Sequence, residues 1–213
     1  MIRAVIFDMD GVVSDTQDIH ARAEAEILNR HGVDITPEEI NKTFAGRRPS
    51  EFFQQLFDEN GIDGDAAHVA AEKWDKVIQL AEESVDPMPG AVQLITELAE
   101  NGFKLAVASS SNTEFVRLVL SKLDLLDKFQ AVVTGDDVKK GKPDPEPFLL
   151  AASRIGVKPE EAVVIEDGVS GMIAAKAGGM KCVGLVTDKT KEYPTDVLVT
   201  SLTELTVEKI RDM

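Results

Sequence analysis

The chain has a single cysteine, Cys182, among 213 residues, so it has no partner for an internal disulfide and no second thiolate for a cysteine-built metal cage. The cytoplasm, a reducing compartment, is the expected location. Basic residues are scarce as well, with 23 Lys and Arg against 38 Asp and Glu and a net charge of -15. Such a chain repels nucleic acid and anionic membrane, and no local basic patch reverses the sign. Long apolar runs are missing, and none approaches the roughly 20 residues of a membrane span. The opening MIRAVIFDMDGVV has acidic residues after only a few apolar ones, the wrong order for a signal peptide, so the chain is expected to start directly in its fold. Internal repeats and low-complexity tracts are absent. Two phosphate-binding patterns are absent too: there is no G-x-G-x-x-G, and Gly135 to Gly141 has the wrong spacing for a P-loop, with Pro143 where Ser or Thr should follow the lysine.

The remaining composition, 43% hydrophobic and 29% charged, is that of a globular protein with room for one medium domain or a domain carrying a smaller insertion. The run Arg3 to Asp8 reads as a buried parallel-type strand ending at acidic residues and Gly11. Similar runs recur at 104–109, 131–134, 162–166 and 181–186, with a weaker one at 196–199. Helical stretches between them stop at glycines: 91–100 before Asn101-Gly102, 147–155 before Gly156, and 170–177 before Gly178-Gly179. The alternation predicts an α/β fold, a Rossmann-like parallel sheet with helices on both faces.

Between the first and second strands lie about 95 residues, far more than one crossover needs, with no convincing strand among them. Residues 15–30 are amphipathic, Thr36-Pro37-Glu38-Glu39 forms a capping box, and Phe52, Phe53, Leu56 and Phe57 share one helical face. Residues 66–83 read as a further helix, with Asp63-Gly64-Asp65 as its turn and N-cap. The expected organisation is a core of 1–15 and 85–213 with an inserted helical cap at 16–84.

Open α/β sheets bind ligands at the carboxyl ends of their strands. The first strand ends there in Asp8-Met9-Asp10-Gly11, and the second in Ser109-Ser110-Ser111-Asn112 at a helix start, offering hydroxyls and free backbone N–H groups to an anion. Lys142, in Gly141-Lys142-Pro143, supplies an ammonium that can pair with phosphate, and the fourth strand ends in Glu166-Asp167-Gly168, hard oxygen ligands suited to Mg²⁺. Carboxylates for a cation beside a hydroxyl and a lysine for a phosphoryl oxygen are the equipment of phosphoryl transfer.

Four segments in order resemble the motifs of the haloacid-dehalogenase superfamily: Asp8-x-Asp10-Gly11-Val12-Val13-x-Asp15-Thr16, Ala108-Ser109-Ser110-Ser111-Asn112, Gly141-Lys142-Pro143-x-Pro145 and Ile165-Glu166-Asp167. The likeness is closest to the β-phosphoglucomutase-like branch of sugar-phosphate phosphatases and mutases, whose helical cap follows the first motif. It implies a sheet order of 5-4-1-2-3, Asp8 as the nucleophile that forms an aspartyl-phosphate, and Asp10 as general acid/base. It also implies a Mg²⁺ cofactor held by Asp8, the backbone carbonyl of Asp10 and Asp167, with Glu166 as a direct or water-mediated helper. Ser109, Ser110 and Lys142 would hold the transferring phosphate. In the cap, His20, Gly46, Arg47, Arg48 and Lys73 are candidate substrate residues, with Ser111 and Asn112 after the second motif, and Thr16 belongs to the hinge.

The expected activity is a Mg²⁺-dependent phosphatase acting on a small phosphorylated metabolite, a sugar phosphate, in a monomer or small homo-oligomer. The alternative is a β-phosphoglucomutase-type mutase. Known mutases show Gly-x-Ser-Arg in the cap loop and Ser-Lys after the second motif, where this chain reads Gly46-Arg47-Arg48-Pro49 and Ser111-Asn112. Dehalogenating relatives lack the second acid that Asp10 supplies. A phospho-accepting receiver combines acids, a hydroxyl and a lysine on a similar sheet, but is much shorter and has no inserted cap.

Overall fold

The computed structural model describes residues 1–44 and 49–213. Its contacts divide the chain into two compact units, Met1–Asp15 with Val85–Met213, and Thr16–Ser84. In the first unit the strands are β1 (Ala4–Phe7), β2 (Lys104–Ala108), β3 (Ala131–Val133), β4 (Ala162–Glu166), β5 (Lys181–Leu185) and β6 (Val197–Val199). They form one parallel sheet in the order β3-β2-β1-β4-β5-β6. The expected 5-4-1-2-3 sequence is present, read from the other edge, with β6 added outside β5.

That sixth strand is the weak run near 196–199, one residue shorter than the pattern suggested. Asp196 lies just before it, its N–H donating to the Cys182 carbonyl at 2.9 Å while its carboxylate accepts the Cys182 N–H at 2.8 Å and pairs with Lys176 at 2.6 Å.

All four residues of β1 are buried, as a central strand covered on both faces requires. One face of the sheet presents Ala4, Ile6, Ala106, Ala108 and Val164. These pack against Phe148, Ala151 and Ala152 of a helix at Glu146–Arg154 and against Met172, Ala174 and Ala175 of a helix at Val169–Ala177. The alternate residues Val5, Phe7, Leu105, Val107, Val163 and Ile165 are equally buried on the other face. Phe148 is fully buried, a burial that stabilises by about 1.5–3 kcal/mol.

The second unit is helical: α1 (Gln17–Arg30), α2 (Pro37–Thr43), α3 (Pro49–Asn60) and α4 (Ala66–Glu83). After it come α5 (Ala91–Glu100), α6 (Thr113–Lys122), α7 (Glu146–Arg154), α8 (Val169–Ala177) and α9 (Val207–Arg211) of the first unit. The capping box forms at α2, where Thr36 Oγ1 accepts the Glu39 N–H at 3.2 Å and Glu39 Oε2 accepts the Thr36 N–H at 2.9 Å. Asp65 caps α4 by accepting the Ala67 and His68 N–H groups. Phe52, Phe53, Leu56 and Phe57 are buried in this unit's own core with Ile27 and Leu28.

α1 starts at Gln17 rather than at the expected residue 15 because the backbone before it is otherwise committed. Asp15 N–H donates to the Asp86 carbonyl at 2.9 Å, Met88 N–H donates to the Val13 carbonyl at 3.0 Å, and Ser14 bridges Pro87. Among the described residues, no helix is long and apolar enough to cross a membrane.

Candidate active site

Strand register brings the chemistry together. Phe7, the last residue of β1, lies level with Val107 of β2 and Ile165 of β4, so Asp8, Ser109 and Asp167 emerge at one edge of the sheet. The Asp8 N–H still donates to the Ile165 carbonyl at 3.0 Å. The chain then folds over itself, the Met9 carbonyl accepting N–H groups from Val12, Val13 and Ser14 at 3.2, 2.9 and 3.0 Å. This tight loop holds Asp10 against the end of β2, where its Oδ2 accepts the Ser111 hydroxyl at 2.9 Å and the Ser109 hydroxyl at 3.3 Å.

Asp8 sits in a different environment. It is 6% exposed, and the buried Lys142 ammonium reaches its Oδ1 at 2.5 Å and Glu166 Oε1 at 2.7 Å. Glu166 anchors this lysine with one oxygen and accepts the Gly168 N–H at 2.6 Å with the other. The Lys142 Nζ also lies 4.9 Å from the centre of the Phe148 ring. Burial opposes the lysine's charge, but Asp8 and Glu166 more than offset it and raise its pKa, so the ammonium is retained.

Asp8, Glu166 and Asp167 each offer an oxygen, all within 4.8 Å of one another. Burial raises the Asp8 pKa, with Glu166, Asp167 and Asp10 adding to the rise and Lys142 opposing it. Asp167 is pushed up to about 7, by burial first and by the Glu166 charge next. Three carboxylates crowded beside one ammonium repel one another, and hard oxygen donors this close fit a small divalent cation.

Three supporting features were not anticipated from sequence. Gly171 leaves room for Glu166, since a Cβ there would lie 1.8 Å from Glu166 Oε1. Gly135, just after β3, permits close contact with the Ser109–Asn112 loop: its N–H donates to the Ser111 carbonyl at 2.8 Å, and a Cβ would lie 2.6 Å from the Ser110 carbonyl oxygen. Glu146, at the start of α7, accepts the N–H groups of Lys139 and Lys140 and so shapes the loop that carries Lys142. A glycine interrupting an otherwise helical Val169–Ala177 is the one signal that the sequence offered for any of them.

The other candidates are placed as follows. Ser110 is exposed, and Asn112 is the N-cap of α6, its Oδ1 accepting the Phe115 N–H at 2.9 Å. Thr16 is fully buried at the N-cap position of α1. His20 meets the Trp74 ring edge-on at 5.7 Å. Lys73, a substrate candidate from sequence, is buried in an ion pair with the buried Glu24 at 2.8 Å. Gly46, Arg47 and Arg48 lie outside the described residues.

A parallel α/β sheet with paired acids after its first strand, hydroxyls after its second and a lysine-anchored acid after its fourth defines a hydrolase of the phosphoryl-transfer type. The family model described as haloacid dehalogenase-like hydrolase matches residues 5–185, and the chain belongs to that family. It is 31% identical over 214 residues to hexitol phosphatase B of Escherichia coli strain K12, covering 98% of this chain and 96% of that protein. It is 35% identical over 181 residues to the same strain's fructose-1-phosphate phosphatase, covering 84% of this chain and 94% of that one. Among solved structures it resembles β-phosphoglucomutase from Clostridium difficile at 28% identity and a TM-score of 0.84, covering 100% of this chain and 96% of that one.

Proposed function

We propose that the protein hydrolyses a small phosphomonoester, a sugar or sugar-alcohol phosphate, through a phosphorylated Asp8. The observation that carries this is the separation of two neighbouring carboxylates into unlike settings, Asp8 against an ammonium within an acid cluster and Asp10 against two hydroxyls. Unlike settings suit unlike roles. An oxygen of Asp8 attacks phosphorus and the bond to the leaving oxygen breaks, while Asp10 gives its proton to that oxygen. Water then attacks the phosphorus of the aspartyl-phosphate, Asp10 takes the water's proton, and inorganic phosphate leaves with Asp8 restored.

Lys142 spends two N–H bonds on Asp8 and Glu166, and its third serves a phosphoryl oxygen, which the Ser109 hydroxyl joins by turning from its long 3.3 Å contact with Asp10. Asp8 and Asp167, with Glu166 beside them and the Asp10 carbonyl implied by the family, would hold a Mg²⁺-class cation that neutralises charge on the transferring group. The named relatives, two phosphatases of small sugar-type phosphates, support this substrate class.

The mutase reading draws on the β-phosphoglucomutase neighbour. A mutase must retain a bisphosphate between half-reactions, and the residue after Ser111, where mutases carry a lysine, is here Asn112, which caps α6. The test is Mg²⁺-dependent phosphate release from fructose 1-phosphate and hexitol phosphates, run beside conversion of β-glucose 1-phosphate with its bisphosphate. Steady phosphate release with no isomerised sugar phosphate is expected. Isomerisation that outpaces release would overturn the hydrolase assignment.

A further inference from the structure

We infer that Ser111 is the positioning residue for Asp10, fixing the orientation of the carboxyl group that serves the leaving oxygen. This rests on the proposed function and extends it to a residue whose role in the site was open. Ser111 is 6% exposed and donates to Asp10 Oδ2 at 2.9 Å across 101 residues of sequence, a closer contact than the 3.3 Å from Ser109.

Ser111 is itself held on all sides. Its N–H donates to Ser109 Oγ at 3.0 Å and its carbonyl accepts the Gly135 N–H at 2.8 Å. The next residues are tied to the same β3 loop: the Thr113 N–H donates to Asp136 Oδ2 at 2.8 Å, and the Thr113 and Thr134 hydroxyls meet at 2.8 Å. Thr134 in turn caps its own turn through Asp137. The end of β3 therefore clamps the loop after β2 so that a buried hydroxyl meets the acid after β1. A surface serine that merely lined a substrate path would need none of this support, whereas a group that selects one orientation of a catalytic carboxyl does.

The test separates action through Asp10 from direct contact with substrate. In the first chemical step a proton is needed by an alkoxide leaving group and hardly at all by p-nitrophenolate, so kcat/KM for the two esters reports on the acid. Ser111→Ala is expected to lower kcat/KM for fructose 1-phosphate by tenfold to a hundredfold, about what a small misplacement costs. For p-nitrophenyl phosphate the change should stay within about threefold, because good leaving groups bypass general-acid help. In an Asp10→Asn background the same substitution should change the sugar-phosphate rate by less than about twofold, since the acid it orients is gone.

A full, additive loss in that background, or a rise in KM for the sugar phosphate at unchanged kcat, would overturn the inference and make Ser111 a substrate contact. Equal losses on both esters would reduce it to loop stability. Asp10→Asn alone distinguishes the two levels. If it spares the sugar phosphate, the general-acid assignment itself fails. If it causes the leaving-group-selective loss and Ser111→Ala does not, only the positioning role fails.

Discussion

Gly171 should be the residue whose methyl group does the most damage to this site without touching substrate. A Cβ on Gly171 would lie 1.8 Å from Glu166 Oε1, 2.1 Å from Cδ and 2.7 Å from Cγ, so in Gly171→Ala the Glu166 side chain must swing away. That breaks the 2.7 Å pair with Lys142 and the 2.6 Å hydrogen bond from the Gly168 N–H, both inside a buried cluster. Separating one partner from a buried ion pair costs about 3–5 kcal/mol, and because Asp8 still accepts from Lys142 the lower end, about 3 kcal/mol, is expected. At 2–4 °C per kcal/mol for a chain of this size, the melting temperature should fall by about 6–12 °C. Removing the obstacle should reverse the sign. In a Glu166→Ala background, Gly171→Ala should be neutral or should stabilise by up to about 1 kcal/mol through helix propensity alone. Thermal melts of the four proteins followed by circular dichroism supply the comparison. Equal destabilisation by Gly171→Ala in both backgrounds would refute the steric account.

Asp8→Asn should abolish turnover while leaving the fold intact, and mass spectrometry of protein trapped with a metal-fluoride phosphate mimic should show occupancy that requires Asp8; occupancy at another aspartate would refute its role as nucleophile. Chelation should remove activity and Mg²⁺ restore it, with Ca²⁺ a poor substitute because it tolerates looser geometry. In the metal-free protein Asp167 ionises near 7 instead of its ordinary 3.8, so between those values the folded state holds a proton that the unfolded chain has released, and stability falls as pH rises. A divalent cation binds the ionised form, so Mg²⁺ should raise the melting temperature more at about pH 8 than at about pH 5, and an equal shift at both would contradict the assignment. In the helical unit, Lys73→Met should cost about 3–5 kcal/mol by stranding the buried Glu24, and Glu24→Leu added to it should recover most of that. Urea unfolding followed through Trp74, the chain's one tryptophan, measures both, and a purely additive pair would exclude the coupling.

The sheet was legible because its strands are short apolar runs set between helical stretches that stop at glycines, and parallel strands need no partner-specific signal beyond that. β6 was faint since it has only three residues and its neighbour Asp196 serves Cys182 and Lys176. At the site, Asp8, Asp10, Ser109, Glu166 and Asp167 could be named from strand ends, because register carries strand ends to one edge, and Lys142 from its Gly-Lys-Pro setting. Their pairings could not. Glu166 read as a metal helper and is also the anchor of Lys142, and Ser111 read as a substrate residue and bonds Asp10. Lys73 read the same way and is paired with Glu24, 49 residues earlier. Each of these depends on which of several like groups ends up nearest in space, and no local pattern encodes that distance.

The backbone ladder at 13–15 and 86–88 has a consequence for how this chain can be cut and rebuilt. Because the Asp15 N–H meets the Asp86 carbonyl at 2.9 Å and Met88 meets Val13 at 3.0 Å, the two ends of the 16–84 segment are already fastened side by side by the core's own hydrogen bonds. The sheet does not depend on the inserted helices to bring its first and second strands into register. A short turn joining Asp15 to Val85 would close the chain, and helices from a relative could be spliced between the same two residues, as insertion sites with adjacent ends allow. The position is a socket, and a lineage that keeps the phosphoryl chemistry can change what it fits there without rebuilding the sheet beneath.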